Sequence, residues 1–361
     1  MKQQLKKSWL LITLLVLALA TLIINQFPYF IEHFYSTGLY PYISRSSRFL
    51  FGWIPFSLGD VVYAIALIWI IIRIVNLYKR WRRKQLNRSL FFYYCRNVLQ
   101  AVLVIYIAFN WLWGFNYNRL GSAYQMQLKF QHYSTEELTR LTDTLAHRLV
   151  EITAIPGAGK TYGRAGELSL LSAEAYQKAE VQFPFLHHPN NSVKPQLLYS
   201  FGNYIGFLGY FNPFTSEAQL NTTIPKILLP VVCCHEMAHQ LGYASESEAN
   251  FIGYITCRQS PDASFRYSAY FDLFSYTISD LYFKDSLLAR EKIKALPQKI
   301  KDDRKQVRSF FDGYKNPFSP LIEWVYDKYL KLNSQPKGRH SYNEVVGWMI
   351  AYASKYGWDK I

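Results

Sequence analysis

Three apolar runs near the amino terminus constrain this chain most: Trp9 to Ile24, Val61 to Leu77 and Val98 to Phe115. Hydrocarbon offers no water to backbone N–H and C=O groups, so runs of this kind read as membrane-spanning helices, here over about residues 9–25, 61–77 and 98–115. The first follows Lys2, Lys6 and Lys7 and looks at first like a signal peptide. Asn25-Gln26-Phe27-Pro28 offers no small-residue cleavage site, and further spans follow, so it is read as a signal anchor. Arg73 sits near the end of the second run, where it can snorkel, and Trp111 and Trp113 form an interfacial belt at the end of the third. Between the first two runs, residues 27–59 are rich in aromatics and carry Pro28, Pro41 and Pro55; they read as a loop packed at the membrane interface.

Charge sets the orientation. The net charge is +15, which in another chain would point to nucleic acid. Here a visible part of it lies in the amino-terminal lysines and in Lys79-Arg80-Trp81-Arg82-Arg83-Lys84 with Arg88. Both runs flank apolar segments, and no nucleic-acid motif accompanies them, so no nucleic-acid partner is expected. The positive-inside rule puts both runs in the cytoplasm. Residues 1–116 are then a membrane region in contact with the lipid bilayer, and residues 117–361 a domain on the opposite, extracytoplasmic side.

That second region holds the stretch with chemistry. His235-Glu236-Met237-Ala238-His239 is an H-E-x-x-H pattern behind an apolar run, Ile227 to Cys234. On a helix, residues i and i+4 share one face, so both imidazoles can reach one metal ion while Glu236 stands beside them as a general base. Zinc suits two neutral imidazoles and a carboxylate, with a fourth position for water. Gly242 can end the helix in a left-handed conformation. A second helical stretch begins near Ser245 and carries two carboxylates, Glu246 and Glu248, and Asn250.

This arrangement resembles the zincin metallopeptidases, the gluzincins in particular. There the third ligand is a Glu on a following helix, and an Asp four residues on hydrogen-bonds a ligand His. Glu246 with Asn250 has that spacing, with Asn for Asp, whereas Glu248 has Ile252 at the same offset. The resemblance therefore favours Glu246 as third ligand, with Glu248 as the alternative. His239 and Glu246 are closer together than in most gluzincins, and the position of the third His in metzincins is held here by Ser245. The stretch from Glu236 to Phe251 also resembles a family of bacterial membrane proteins known as a domain of unknown function. So do Asn212-Pro213-Phe214 and Asn221-Thr222-Thr223-Ile224-Pro225. That likeness implies a bacterial inner membrane and a periplasmic domain, and it brings no substrate with it.

The other motifs carry less. Ser134 and Glu137 form a capping box at the start of a helix that runs to about Thr153. Pro156 to Thr161 imitates a phosphate loop, but Ala154 stands where the first Gly belongs, and a helix precedes it. His187-His188 reads as an exposed loop pair. Residues 194–225 read as strands, and Glu217 to Asn221 takes the place where zincins keep an edge strand that pairs with extended peptide. From Ser264 onward the chain reads as mostly helical, with a highly charged stretch over residues 287–311 that reads as a solvated helix or arm, and a turn over 333–338. After that turn, His340 and Tyr342 are candidates for stabilising an oxyanion. Cys95, Cys233, Cys234 and Cys257 form no C-x-x-C and read as small buried hydrophobes, with a Cys257 disulfide to Cys233 or Cys234 as the alternative outside the cytoplasm.

The expected architecture is a membrane α-helical amino-terminal region of three transmembrane helices, followed by a mainly α, α+β zincin-like domain. The expected function is a membrane-anchored zinc metallopeptidase acting on peptide or protein substrates. His235, His239 and Glu246 would bind Zn2+, and Glu236 would be the catalytic base. The rival readings are a catalytically inactive zinc-binding scaffold or sensor and a transporter; the second has little support from spans without buried charge.

Overall fold

A computed structural model describes residues 2–129, 132–332 and 344–361. The turn over 333–338, His340 and Tyr342 lie outside them. The amino-terminal part is helical: α1 (Lys2–Ile24), α2 (Pro28–Phe30), a π-helical stretch (Ile31–Leu39), α3 (Tyr40–Phe51), α4 (Leu58–Arg82) and α5 (Arg88–Leu112). After α6 (Gly121–Gln125) come α7 (Thr135–Thr153) and α8 (Ala165–Gln182). β1 (Val193–Pro195), α9 (Tyr199–Ile205), β2 (Gly209–Asn212) and β3 (Glu217–Leu220) follow. The remainder is α10 (Leu229–Gln240), α11 (Glu246–Cys257), α12 (Ala263–Lys284), α13 (Ser286–Ala295), α14 (Gln298–Gly313), α15 (Ser319–Leu332) and α16 (Glu344–Tyr356). The chain is thus mostly helical, with one small sheet.

α4 and α5 are long and apolar enough to cross a membrane, and their apolar side chains from Val62 to Val104 are largely exposed, as lipid-facing residues are. The third candidate is the apolar part of α1, Trp9–Ile24, which forms a pair with Pro28–Phe51 bent by 93°. The bend falls at Asn25–Phe27, where Pro28 starts the next helix at its first position. Residues 27–59, expected as a loop, are therefore largely helical. α1 is tied to α5 by Trp111 Nε1 donating to Thr21 Oγ1 at 3.1 Å and by Asn25 Nδ2 donating to Asn110 Oδ1 at 3.2 Å.

The segment between the first two spans binds the rest of the chain through buried charge. Glu32 receives a bidentate pair from Arg119, Nε to Oε2 at 3.0 Å and Nη2 to Oε1 at 2.9 Å, and Gln125 and the Gly121 N–H donate to the same carboxylate. Full pairing of this kind is what makes a buried charge tolerable. Glu217, on β3 and fully buried, accepts from the Leu58 and Gly59 N–H groups at 3.2 and 2.7 Å and pairs with Lys194. A carboxylate there meets the unsatisfied N–H groups and positive dipole end of α4, so this candidate span is fastened to the sheet at its first turn.

The sheet order is β1-β3-β2, with β1 parallel and β2 antiparallel to β3. The strand expected at the edge, Glu217 to Asn221, is instead the central one: every residue of β3 is buried between β1 and β2. The outer strand on the other side is β2. Residues 199–205, expected as strand, form α9, closed by Gly206. The charged stretch over 287–311, expected as a helix or arm, is two helices that break at Leu296-Pro297, where Pro supplies no N–H. The capping box is present, with Ser134 and Glu137 satisfying each other's backbone N–H groups.

At the centre lies α10. Val231, Val232, Cys233, Cys234, Met237 and Ala238 are all buried, so the helix is apolar nearly all round and packs against α8, α11, α12 and β3. All four cysteines are free; Cys233, Cys234 and Cys257 are buried and Cys95 is exposed.

Candidate metal centre

A helix that is apolar all round has one face on which polar groups are affordable only if they are partnered. On α10 that face carries His235 and His239, whose rings lie 4.8 Å apart at 90°. α10 ends at Gln240, and Gly242 takes φ +85°, a left-handed conformation that turns the chain back. Four residues on, Glu246 opens α11 and faces the same two rings. Its Oε2 lies 3.3 Å from His235 Nε2 and 3.9 Å from His239 Nε2, and one ligand atom from each of the three residues lies within 4.8 Å of the others. Ligands about 2.1 Å from a tetrahedral zinc stand about 3.4 Å from one another, so the donor types suit that ion and Glu246 already lies near this spacing from His235, while the wider separations would have to close. The three side chains are 14%, 7% and 18% exposed, so each keeps limited access to solvent. A structural zinc site is closed by a fourth protein ligand; a reactive one keeps a position free.

His239 is held from behind. Its Nδ1 lies 2.7 Å from the Tyr243 carbonyl oxygen, which can only accept, so Nδ1 carries the proton and Nε2 presents its lone pair to the centre. His235 is hydrogen-bonded by Glu246 and by Asn250, and Asn250 Nδ2 also donates to Tyr276 Oη on α12 at 3.3 Å. The role expected of Asn250 therefore falls on His235, while a backbone carbonyl serves His239. Glu248 faces elsewhere: it is buried and accepts from Ser122 N at 2.7 Å and Ser122 Oγ at 3.1 Å.

Electrostatics follow from burial and three carboxylates. Burial opposes charge on His235, yet the hydrogen bond and charge of Glu246 with the charge of Glu236 outweigh it and raise the imidazole to about 9. Burial, reinforced by the His235 charge, lowers His239 to about 4. Glu236 is pushed up to about 8 by burial, against the opposing His235 charge. Asp272 on α12 is pushed up to about 7 by burial and pulled back by His235. The carboxylates of Glu246 and Glu236 thus favour positive charge at His235. Glu236 Oε2 is buried and has no hydrogen-bond partner among the described residues, a costly state for a carboxylate unless it has work to do. Its other oxygen faces the start of β2, where a Cβ on Gly209 would come within 2.6 Å of Glu236 Oε1 and 2.7 Å of the Gln219 carbonyl. Only Gly lets the strand pass so close.

The carbonyls at the end of α10 are held by residues that no local pattern in the sequence marks. Tyr40 Oη donates to the His239 and Gln240 carbonyls at 3.4 and 3.2 Å, Ser44 Oγ to Gln240 at 2.7 Å, and Trp113 Nε1 to His239 at 3.3 Å. Arg48 Nη1 donates to Gln240 at 3.2 Å, and Arg119 Nη1 to Leu241 and Gly242 at 3.4 and 3.2 Å. The only hint in the sequence is a few polar residues, Glu32, Arg48 and Arg119, near the apolar spans. Asp272 and Tyr276 were likewise missed; one turn apart on an aromatic helix, they turn its polar edge toward the site. His188 is no exposed loop residue: it is buried, with Nε2 3.0 Å from Gln240 Oε1.

A family described as "Protein of unknown function (DUF3810)" matches residues 35–350, a range that includes Tyr40, the His235–His239–Glu246 cluster and the helices between. No curated protein and no solved structure matches the chain.

Proposed function

The chain belongs to the family of proteins of unknown function DUF3810, and for it we propose zinc-dependent hydrolysis of peptide bonds by a membrane-anchored, zincin-like domain outside the cytoplasm. The observation that carries this reading is the convergence of His235, His239 and Glu246 beside a buried, unpartnered Glu236 oxygen. Zinc held by the three side chains would lower the pKa of a water molecule and polarise a scissile carbonyl. Glu236 takes the proton of the attacking water on its carboxylate and gives it to the leaving nitrogen. Burial, which favours the protonated carboxyl, helps Glu236 hold that proton between the two steps. Tyr243 and Asn250 keep the imidazoles oriented. β2, as outer strand beside Glu236, offers its free edge for strand addition of an extended peptide, the part first expected of Glu217 to Asn221.

The same contacts support one orientation in the membrane. The first turn of α4 is fastened to Glu217, and Trp113 just past α5 reaches His239, so one end of both spans adjoins the centre. The basic run from Lys79 to Arg88 joins their other ends, about 37 Å away for a 25-residue helix, and the positive-inside rule puts it in the cytoplasm. Purified protein should therefore hydrolyse peptides, lose that activity to a zinc chelator and regain it with added zinc. A chain that binds zinc without turnover would instead be an inactive scaffold. Reporters fused after Ile361 should be active only if they work outside the cytoplasm; activity of a cytoplasm-only reporter there would overturn the orientation.

A further inference from the structure

The chain from Pro195 to Ser216 contains no Asp, Glu, Lys or Arg and is rich in Tyr and Phe. It includes α9, one face of which is turned inward: Asn203 donates to Thr223 Oγ1 at 3.0 Å and accepts from Asn221 Nδ2 at 2.6 Å, and Gly202 is buried. The opposite face carries Leu198, Phe201 and Tyr204, all exposed, Phe201 by 63%, while the Tyr204 ring also stands edge-on to Tyr314 at 5.3 Å and its carbonyl accepts from Asn316 Nδ2 at 3.2 Å. Positions three apart on a helix share a face, so these make one apolar ridge. An uncharged amphipathic helix with an exposed aromatic ridge has no reason to face water.

What covers the ridge follows from where it is tied. Asp60, in the first turn of α4, accepts from the Leu197 N–H at 2.7 Å and from the Tyr210 hydroxyl. Leu197 precedes α9 and Tyr210 follows it, so both flanks of this segment are bound to one carboxylate. Asp60 is buried, and exposed apolar side chains begin just beyond it, at Val62, Tyr63 and Ile65. Asp60 therefore marks the level at which the span enters lipid. α9 begins two residues from Leu197, within about 7 Å of that level, and is itself only about 10 Å long. Trp53 and Phe56, exposed in the turn before α4, lie at the same boundary, where aromatic residues concentrate.

We propose that α9 is an interfacial helix whose Leu198, Phe201 and Tyr204 sit in the bilayer surface on the side where α4 begins. Asp60 ties both flanks of the ridge to the first turn of α4, and the ridge's lack of charge suits the headgroup boundary better than a protein rim. β2 leaves this segment directly and passes Glu236, so the centre lies against the membrane. If the peptidase reading holds, its substrates are polypeptides presented at the bilayer surface.

The test does not depend on turnover. The full chain with Cys95→Ser, its remaining cysteines buried, receives single cysteines by Phe201→Cys, Leu198→Cys or Glu291→Cys. Glu291 is an exposed acidic residue of α13 and serves as the aqueous reference. Each is labelled with an environment-sensitive fluorophore and reconstituted in phosphatidylethanolamine–phosphatidylglycerol vesicles. Labels at 201 and 198 should emit to the blue of the label at 291, be quenched by lipid-borne nitroxide, and show several-fold weaker quenching by iodide. Iodide quenching equal to that at 291 would overturn the proposal. So would shielding from both iodide and nitroxide, the pattern expected of a second copy or another protein on the ridge.

Discussion

Replacing Glu236 with Gln is expected to leave zinc in place and to lower peptidase turnover by about 10²–10⁴-fold, the range typical of a lost general acid–base group. Gln fills the same space beside Gly209 and keeps a hydrogen-bonding end, so the packing against the start of β2 should survive. What it lacks is a site that can accept a proton from water and deliver it to the leaving nitrogen. Because the proposed ligand atoms are those of His235, His239 and Glu246, the metal content of the variant should equal that of the wild type. Parallel turnover and metal assays check both halves. Full activity in Glu236→Gln would remove the general base from this account.

The second large effect separates two carboxylates that stand two residues apart. Two residues along a helix is about 200° of rotation, so Glu246 and Glu248 leave α11 on opposite faces. Glu246 faces the imidazoles, and Glu248 accepts from Ser122. Glu246→Ala should lose zinc and activity together. Glu248→Ala should keep zinc and instead lower thermal stability by about 1–3 kcal/mol, since it leaves the Ser122 N–H buried without its acceptor. Zinc lost from Glu248→Ala but kept in Glu246→Ala would reverse the assignment.

The centre was legible because its parts are close in sequence. His235 and His239 are one helical turn apart, Gly242 supplies the left-handed stop, and Glu246 opens the next helix, so periodicity and turn chemistry suffice to bring them together. The supports of the centre were not legible, because they are remote. Tyr40 and Ser44 reach carbonyls some 200 positions away, and nothing local in either residue foretells that contact. The misread elements failed for a related reason. Tyr and Phe in residues 199–205 favour strands by propensity, but the segment folds as a helix held by the Asp60 bond to Leu197 and the Asn203–Asn221 bond. The edge place of residues 217–221 rests on the zincin resemblance alone, and β1 and β2, the strands that flank them, are too short to be read from the sequence.

Metal analysis of purified full-length protein tests the central claim most directly. The wild type should carry close to one zinc per chain, and His239→Ala, shown to be folded by its circular dichroism, should carry almost none. Undiminished zinc in folded His239→Ala would contradict the metal centre and the function proposed for it.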